Sequence, residues 1–507
     1  MRSVAGLVCG LAAAAWPAMG LAQRLDFNSG VRVSAVASTN PDLAPRGQEQ
    51  GDVWLVLSPF FSVTGSLGER FTLAGSFGLG ASLRLSAREG ATASSSLRPS
   101  GSLAGTLEVI DNFFFVDLRA GVQSSINDPF LATTDPFSPV NTSTRYQLGI
   151  APYIRGTAFG DVQYEVRSDN AWTDDAWGSG ERDFKGQYSA TNTIRFDRPP
   201  RPLGWAFSFQ QRLLSSSVED QGLLKTETAR FSLRYALTSN LAVGARLGAE
   251  RYNFTLAATD WRRYYGAEAS WRPNERTSLE GYWEDRVFGN SWQVAFGYRR
   301  PLFAINATSS RLISNTPQQF LTFPGLASLF SLLDSAFATR ITDPLERRRA
   351  VIDFLSRTQL PAELLAPSII YTQNFTIREL NNVRLVSFGR LHSIALTVYQ
   401  NVTQYSAGIA TELPLANKTK ENGVELAFNR RLAQGASATA TASWRETQNA
   451  LNTAQRTAQT QLRLEASKNL SRRTDATLGA RYQWISSTVT NDATEAAIFA
   501  TLSYQLD

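Results

Sequence analysis

Over residues 111–125, DNFFFVDLRAGVQSS, every second residue from Phe114 is apolar: Phe114, Val116, Leu118, Ala120 and Val122. The alternate set is Phe115, Asp117, Arg119, Gly121 and Gln123. A period of two marks a β-strand, here with one apolar and one largely polar face. The pattern recurs in RYQLGIAPYIR (145–155), DVQYEVR (161–167) and ARFSLRYAL (229–237), and again in QLRLEA and ATLGARYQW near the C-terminus. The apolar faces meet either a packed core or lipid.

Strand length favours lipid. Many alternating segments run to about 12–16 residues, whereas strands of soluble sheets usually have about five or six. The polar faces carry Gly, Ser, Gln and paired charges, as a watery lumen would. Aromatic residues gather near the predicted strand ends: Tyr153, Trp205, Tyr252, Tyr265, Trp271, Trp292, Tyr298, Tyr482, Trp484 and Tyr504. Such girdles mark the two membrane interfaces. Short turns, among them residues 65–70, 111–112, 237–240, 272–276 and 469–473, alternate with longer polar loops near 38–51, 126–143, 168–181 and 215–222. The sum predicts an all-β fold: a transmembrane, antiparallel, up-and-down β-barrel of about 22 strands, within a range of about 18–24, with both termini on the periplasmic side. The first strand is expected near residue 29 and the strand after the long interruption near 367.

That interruption, residues 316–366, reads as a helical insertion. Asp343 can cap a helix, Pro344 suits its first position and Glu346 completes a capping-box-like pair. Leu345, Ile352 and Leu355 mark an apolar face, and a second helix is predicted over Leu326–Ala338. Those apolar faces need cover, so the insertion is expected in the lumen or at its mouth, with a position over the rim as the alternative.

Residues 1–22 read as a cleaved signal peptide: Arg2, then an apolar run from Val4 to Trp16, then small residues before Gln23. The single cysteine, Cys9, leaves with it, so residues 23–507, the barrel, carry no thiol chemistry. No apolar run is long enough to span as a helix. Hydrophobic content is 43% while mean hydropathy is −0.20, as expected where apolar and polar residues alternate. Net charge is +6, and of 50 cationic residues five are Lys.

Little in the chain suits catalysis. His392 is the only histidine and begins a strand, where an interfacial polar residue is the ordinary reading. No zinc-ligand cluster or phosphate-cradling loop appears, so no enzyme, cofactor or metal is expected, and no nucleic-acid partner. Acidic residues in predicted outside loops, Asp169, Asp174, Asp175, Glu181 and Asp183, with Trp172 and Trp177 between them, read first as solvated charge; binding of divalent cations or of a sugar ring is the alternative. The strongest candidates face the lumen by register: Arg119, Arg145, Arg155, Arg167, Arg230, Arg234, Arg246, Arg463 and Arg481. Rings of Arg bias a pore toward anions and suit the carboxylates of acidic sugars. Asp117, Asp161, Glu165, Glu250, Glu268 and Glu465 face the same way, so wall-stiffening salt bridges compete with that role.

The segments NPDLAP…GDVWLVLSPFFSVTGSLGERFTLAGSF and LRPSGSLAGTLEVIDNFFFVDLRAGVQSSINDPF, with the inserted DPLERRRAVIDFLSRTQLP, resemble the PEP-CTERM system-associated outer membrane proteins. The resemblance implies a porin-like barrel in the outer membrane of a Gram-negative bacterium, encoded with exosortase and exopolysaccharide machinery. It implies no substrate and no functional residues. The expected partners are outer-membrane lipids and lipopolysaccharide, the outer-membrane assembly machinery and exopolysaccharide-export components. Barrels handled by that machinery usually end on an aromatic residue; here the last residue is Asp507, leaving Tyr504 as the candidate anchor. A TonB-dependent transporter is not expected, because strands start too early for an N-terminal plug. Three functions remain: an exopolysaccharide channel gated by the insertion, a general diffusion porin, or a structural barrel of the envelope.

Overall fold

The computed structural model describes residues 23–85, 96–126, 128–132, 141–176, 186–216, 222–253, 260–317, 319, 329–338, 341, 346–347, 349–351, 354–355, 364–368, 375–405, 418–452 and 454–506. The expected signal peptide lies outside the described residues, as do Asp343, Pro344, Trp177, Glu181 and Asp183.

Twenty-two strands form one sheet. They are β1 (Gln23–Ser38), β2 (Asp52–Leu67), β3 (Phe71–Arg84), β4 (Ser96–Ile110), β5 (Phe114–Ile126), β6 (Thr142–Ala158), β7 (Val162–Ala176) and β8 (Gln187–Arg198). Next come β9 (Leu203–Ser216), β10 (Leu224–Thr238), β11 (Leu241–Tyr252), β12 (Arg262–Asn274), β13 (Thr277–Arg286), β14 (Gly289–Arg300) and β15 (Phe303–Ser314). After the insertion follow β16 (Thr376–Phe388), β17 (His392–Tyr405), β18 (Lys418–Ala433), β19 (Ala436–Asn449), β20 (Arg456–Asn469), β21 (Thr474–Ser487) and β22 (Ala493–Gln505). Each strand pairs antiparallel with the next, and β1 closes the ring against β22, Gly30–Ser38 against Ala497–Gln505. Closure leaves no edge, so every ladder can be satisfied without water.

One rim carries tight turns, such as the two residues between β18 and β19, where Gly435 takes a positive φ of 72°. The other rim carries the long connections. By the architecture of such barrels the short-turn rim is periplasmic, and both β1 and β22 have their outer ends there.

The outer face is an apolar belt. Leu247, Leu464, Leu478 and Ile498 are 61–66% exposed. In water a continuous belt of this kind would drive aggregation, whereas in a bilayer it is the solvated surface. The apolar face of β5 therefore meets lipid, and the protein is an outer-membrane β-barrel.

Several expectations are corrected. β1 starts at Gln23 and not near 29, and β16 starts at Thr376 and not near 367. β7 runs on through Ala176, so Asp169, Trp172, Asp174 and Asp175 are wall residues and not loop residues. Tyr153 and Tyr252 do not belong to the girdles. They fall on the inward parity of β6 and β11 and are 8% and 2% exposed, Tyr153 stacked on Phe115 and the Tyr252 hydroxyl donating to Glu250. Position near a strand end does not override the alternation of sides.

Candidate functional site: a lumen occupied by the insertion

The inward face divides into two kinds of surface. Along β8–β13 it is a ladder of ions. Arg230 contacts Glu284 at 2.7 Å; Arg246 contacts Glu268 at 2.6 Å and Glu284 at 2.9 Å. Arg234 reaches Asp197 at 2.6 Å, and Arg286 bridges to Glu250 and, at 3.6 Å, to Glu284. Glu250 and Glu284 are fully buried among these cations. Tyr282 lies beneath the Arg246 guanidinium, 3.9 Å from ring centroid to Cζ. Each carboxylate thus meets charged donors, which is what keeps a buried charge tolerable.

Of the other predicted arginines, Arg167, Arg463 and Arg481 have carboxylate partners of the same kind. Arg167 bridges Asp117 and Asp169 at 2.8 and 2.9 Å and stacks on Tyr153. Arg155 lies over the Phe115 ring at 4.4 Å. Arg463 pairs with Glu465 and Arg481 with Glu495, at 2.7 and 2.6 Å. Arg145 is buried on β6, and Arg119 shares the inward parity of β5 with Asp117, half-buried. The nine arginines therefore do not form one ring at one height. They are distributed over β5–β7, β10–β11 and β20–β21, and those with carboxylate partners are neutralised within the wall.

Along β15–β18 the inward face turns apolar near the short-turn rim. Ala304, Val386, Phe388, Ala395 and Ala427 form a seat that is at most 5% exposed. The insertion covers it. Helix α1 (Leu329–Phe337) places Leu329, Leu332, Leu333 and Ala336 on this seat, each 0% exposed. Small Ala side chains let the helix approach, and Phe337, Phe354 and Phe388 interlock edge-on with centroids 5.1–5.7 Å apart. Residues 346–347, 349–351 and 354–355 are helical as well, and Val351 joins the same cluster.

The insertion also crosses the barrel. Near its start, Asn315 donates to Ser189 of β8 at 3.0 Å, and Gln147 of β6 donates to the Pro317 carbonyl at 3.1 Å. Lower down, Arg349 pairs with Asp26 of β1 at 2.7 Å. At its far end, the Ser368 N–H donates to Glu421 at 2.9 Å and the Leu365 N–H to Glu425 at 3.2 Å. Glu421 also accepts from the Tyr399 hydroxyl at 2.7 Å. The segment thus enters from the long-loop rim, descends to the short-turn rim and returns.

A second segment folds inward at the long-loop mouth. Asn141 ties the turn at Asp128–Leu131 by donating to both of their carbonyls, and Thr457 of β20 donates to the Phe130 carbonyl at 2.7 Å. Pro129 and Leu131 share a small cavity with Ser368 and Arg445, so the two inward segments meet. Sequence periodicity misses this contact because it joins a loop to a strand across the barrel. His392 sits on the outward parity of β17, stacked on Phe428 at 5.7 Å. Among the described residues no cluster of His, Cys, Asp and Glu could hold a metal ion.

No family model and no curated protein matches the chain. Among solved structures it is similar to the siderophore receptor PirA from Pseudomonas aeruginosa, with 9% identity, a TM-score of 0.42, and coverage of 96% of this chain and 81% of that one. It is also similar to the FrpB iron transporter from Neisseria meningitidis, with 11% identity, a TM-score of 0.45, and coverage of 95% and 83%. OccAB4 from Acinetobacter baumannii matches with 10% identity, a TM-score of 0.31, and coverage of 95% and 98%. Likeness at this level bears on neither cargo nor gating.

Proposed function

We propose that this barrel assists the export of exopolysaccharide across the outer membrane and that residues 316–366 gate it. The observation that carries the reading is how unevenly the insertion is held. Its helical part rests on one apolar seat near the short-turn mouth and its far end on a cluster of bonds from Leu365, Ala366 and Ser368 to Glu425, Arg445 and Glu421, while the ties that reach β1, β6 and β8 are isolated hydrogen bonds or an exposed ion pair. Such ties are worth about 0.5–1.5 kcal/mol each, small enough to be released one at a time. A gate needs that combination of firm anchorage and several weak ties. The resemblance to proteins encoded with exopolysaccharide machinery supports the cargo.

The test has two parts. In a host lacking this gene, export predicts less extracellular polysaccharide and more in the periplasm; unchanged amounts in both compartments would sink it. In planar bilayers the intact protein is expected to be silent and the variant without residues 316–366 to conduct. Open conductance from the intact protein would favour a diffusion porin, and silence from both a structural barrel.

A further inference from the structure

The outer face departs from the apolar belt in two places. Across β15–β19 a row of outward residues is paired strand to strand: Ser309 with Asn381, Asn381 with Gln400, Gln400 with Asn422, and Asn422 with Glu446. Their outward side is fixed by neighbours of the same parity, Val383, Val398, Val424 and Leu426, which are lipid-exposed. Across β7–β11 a second row repeats the device: Ser168, Asn192, Gln211, Glu227 and Arg251, again paired strand to strand. In that row Ser168 donates to Asn192, Asn192 to Gln211 and Gln211 to Glu227, at 2.8, 3.3 and 3.0 Å. The outer faces of β1–β6 carry nothing comparable.

Amides and carboxylates on a lipid-facing wall are costly, and cost most at mid-depth. The first row avoids mid-depth. The Trp292 indole, of the girdle nearer the long-loop rim, donates to Ser309 at 2.9 Å, which fixes the first row just beneath headgroup level. Closer to that rim, on the same outward face, β18 presents Lys418 and Lys420, and β20 begins with Arg456. Arg456 neutralises Glu446, but Lys418 and Lys420 form no ion pair among the described residues. The order from rim to wall is therefore free cations, then hydrogen-bonding amides, then apolar side chains.

We propose that the outer wall over β15–β20 binds a phosphorylated glycolipid of the outer leaflet, lipopolysaccharide; over β7–β11 the cations Lys225 and Arg251 are already paired with Glu227, so that row is not such a site. Phosphates on the sugar headgroup meet the lysines, and the amide and ester linkages of the acyl chains meet the amide row. A second copy of the chain fits less well, because a two-fold contact at this patch would set Lys418 and Lys420 against themselves. The proposal is independent of what crosses the lumen.

The test uses the full mature chain in phosphatidylethanolamine vesicles, with and without purified lipopolysaccharide. The readout is the temperature at which folded gel mobility is lost. Lipopolysaccharide is expected to raise this midpoint by several degrees, since a ligand of the folded state stabilises it. The rise should vanish in K418E/K420E and persist in Lys468→Glu, which alters an outward lysine at the opposite rim. N381L/Q400L/N422L should fold in vesicles without lipopolysaccharide and show a reduced rise. An equal rise in K418E/K420E, no rise in the unaltered chain, an equal rise from phosphatidylglycerol, or a cross-linked dimer through β17 would each overturn the proposal.

Discussion

The inner wall of β8–β13 and that of β15–β18 are built on the same alternation yet make opposite demands. The first presents ions that satisfy one another within the wall, Arg230, Arg246 and Arg286 around Glu284, and it can face water without further cover. The second presents Val386, Phe388 and three alanines, which water would solvate poorly, and it is stable only beneath another element. One wall carries charge balanced within itself; the other holds the object in its way. Where inward residues are apolar, a barrel announces that its lumen is filled.

Breaking the seat should have the largest effect. Leu333→Glu sets a carboxylate against Phe388 and the alanines, a burial worth several kcal/mol that is avoided by releasing the helix. The expected outcome is a bilayer conductance from a protein that is otherwise silent, with the barrel still folded by gel mobility. An intermediate effect is expected in the ladder. Glu284→Gln leaves three guanidiniums with fewer counter-charges and should lower barrel stability by about 3 kcal/mol, measured by urea unfolding in detergent. In the variant without residues 316–366 the same change should move the reversal potential toward anions. The smallest effect concerns the tie to β18. Ser368→Ala removes the bond from its hydroxyl to Glu421, worth about 1 kcal/mol, and should give brief, rare openings in single-channel records without changing their size. Full conductance from that variant would mean that the tie, and not the seat, holds the gate.

Much of the wall was legible in the sequence. Phe231, Leu233 and Tyr235 against Arg230 and Arg234 gives sidedness directly, because lipid and lumen differ in polarity and the strand alternates between them. The reading weakened wherever a strand presents similar residues to both sides. In β7 the segment SDNAWTDD resembles a loop because Ser168 and Asn170 are outward and polar while Asp169 is inward and polar. The outward polar rows were invisible for the same reason, as no local pattern distinguishes an amide facing lipid from one facing water. Tyr153 and Tyr252 look like girdle residues by type and place along the strand, but parity turns them inward. The helix was foreseen at 326–338 and found at Leu329–Phe337, since its apolar spacing is local, but which wall it would meet depends on residues far away in the chain.

The seam between β1 and β22 sets an order of events. The first and last strands of the chain must meet to complete the ring, so the lumen does not exist as an enclosed space until the C-terminal strand arrives. The insertion lies seven strands ahead of that seam in the chain, directly between β15 and β16. It can therefore dock on β15 and β16 while the sheet is still an open, curling surface, and the final hairpins then wrap around it. On this route the occupant is built in and never has to be threaded through a mouth, and a slow-docking insertion would delay the ring's completion rather than be left outside.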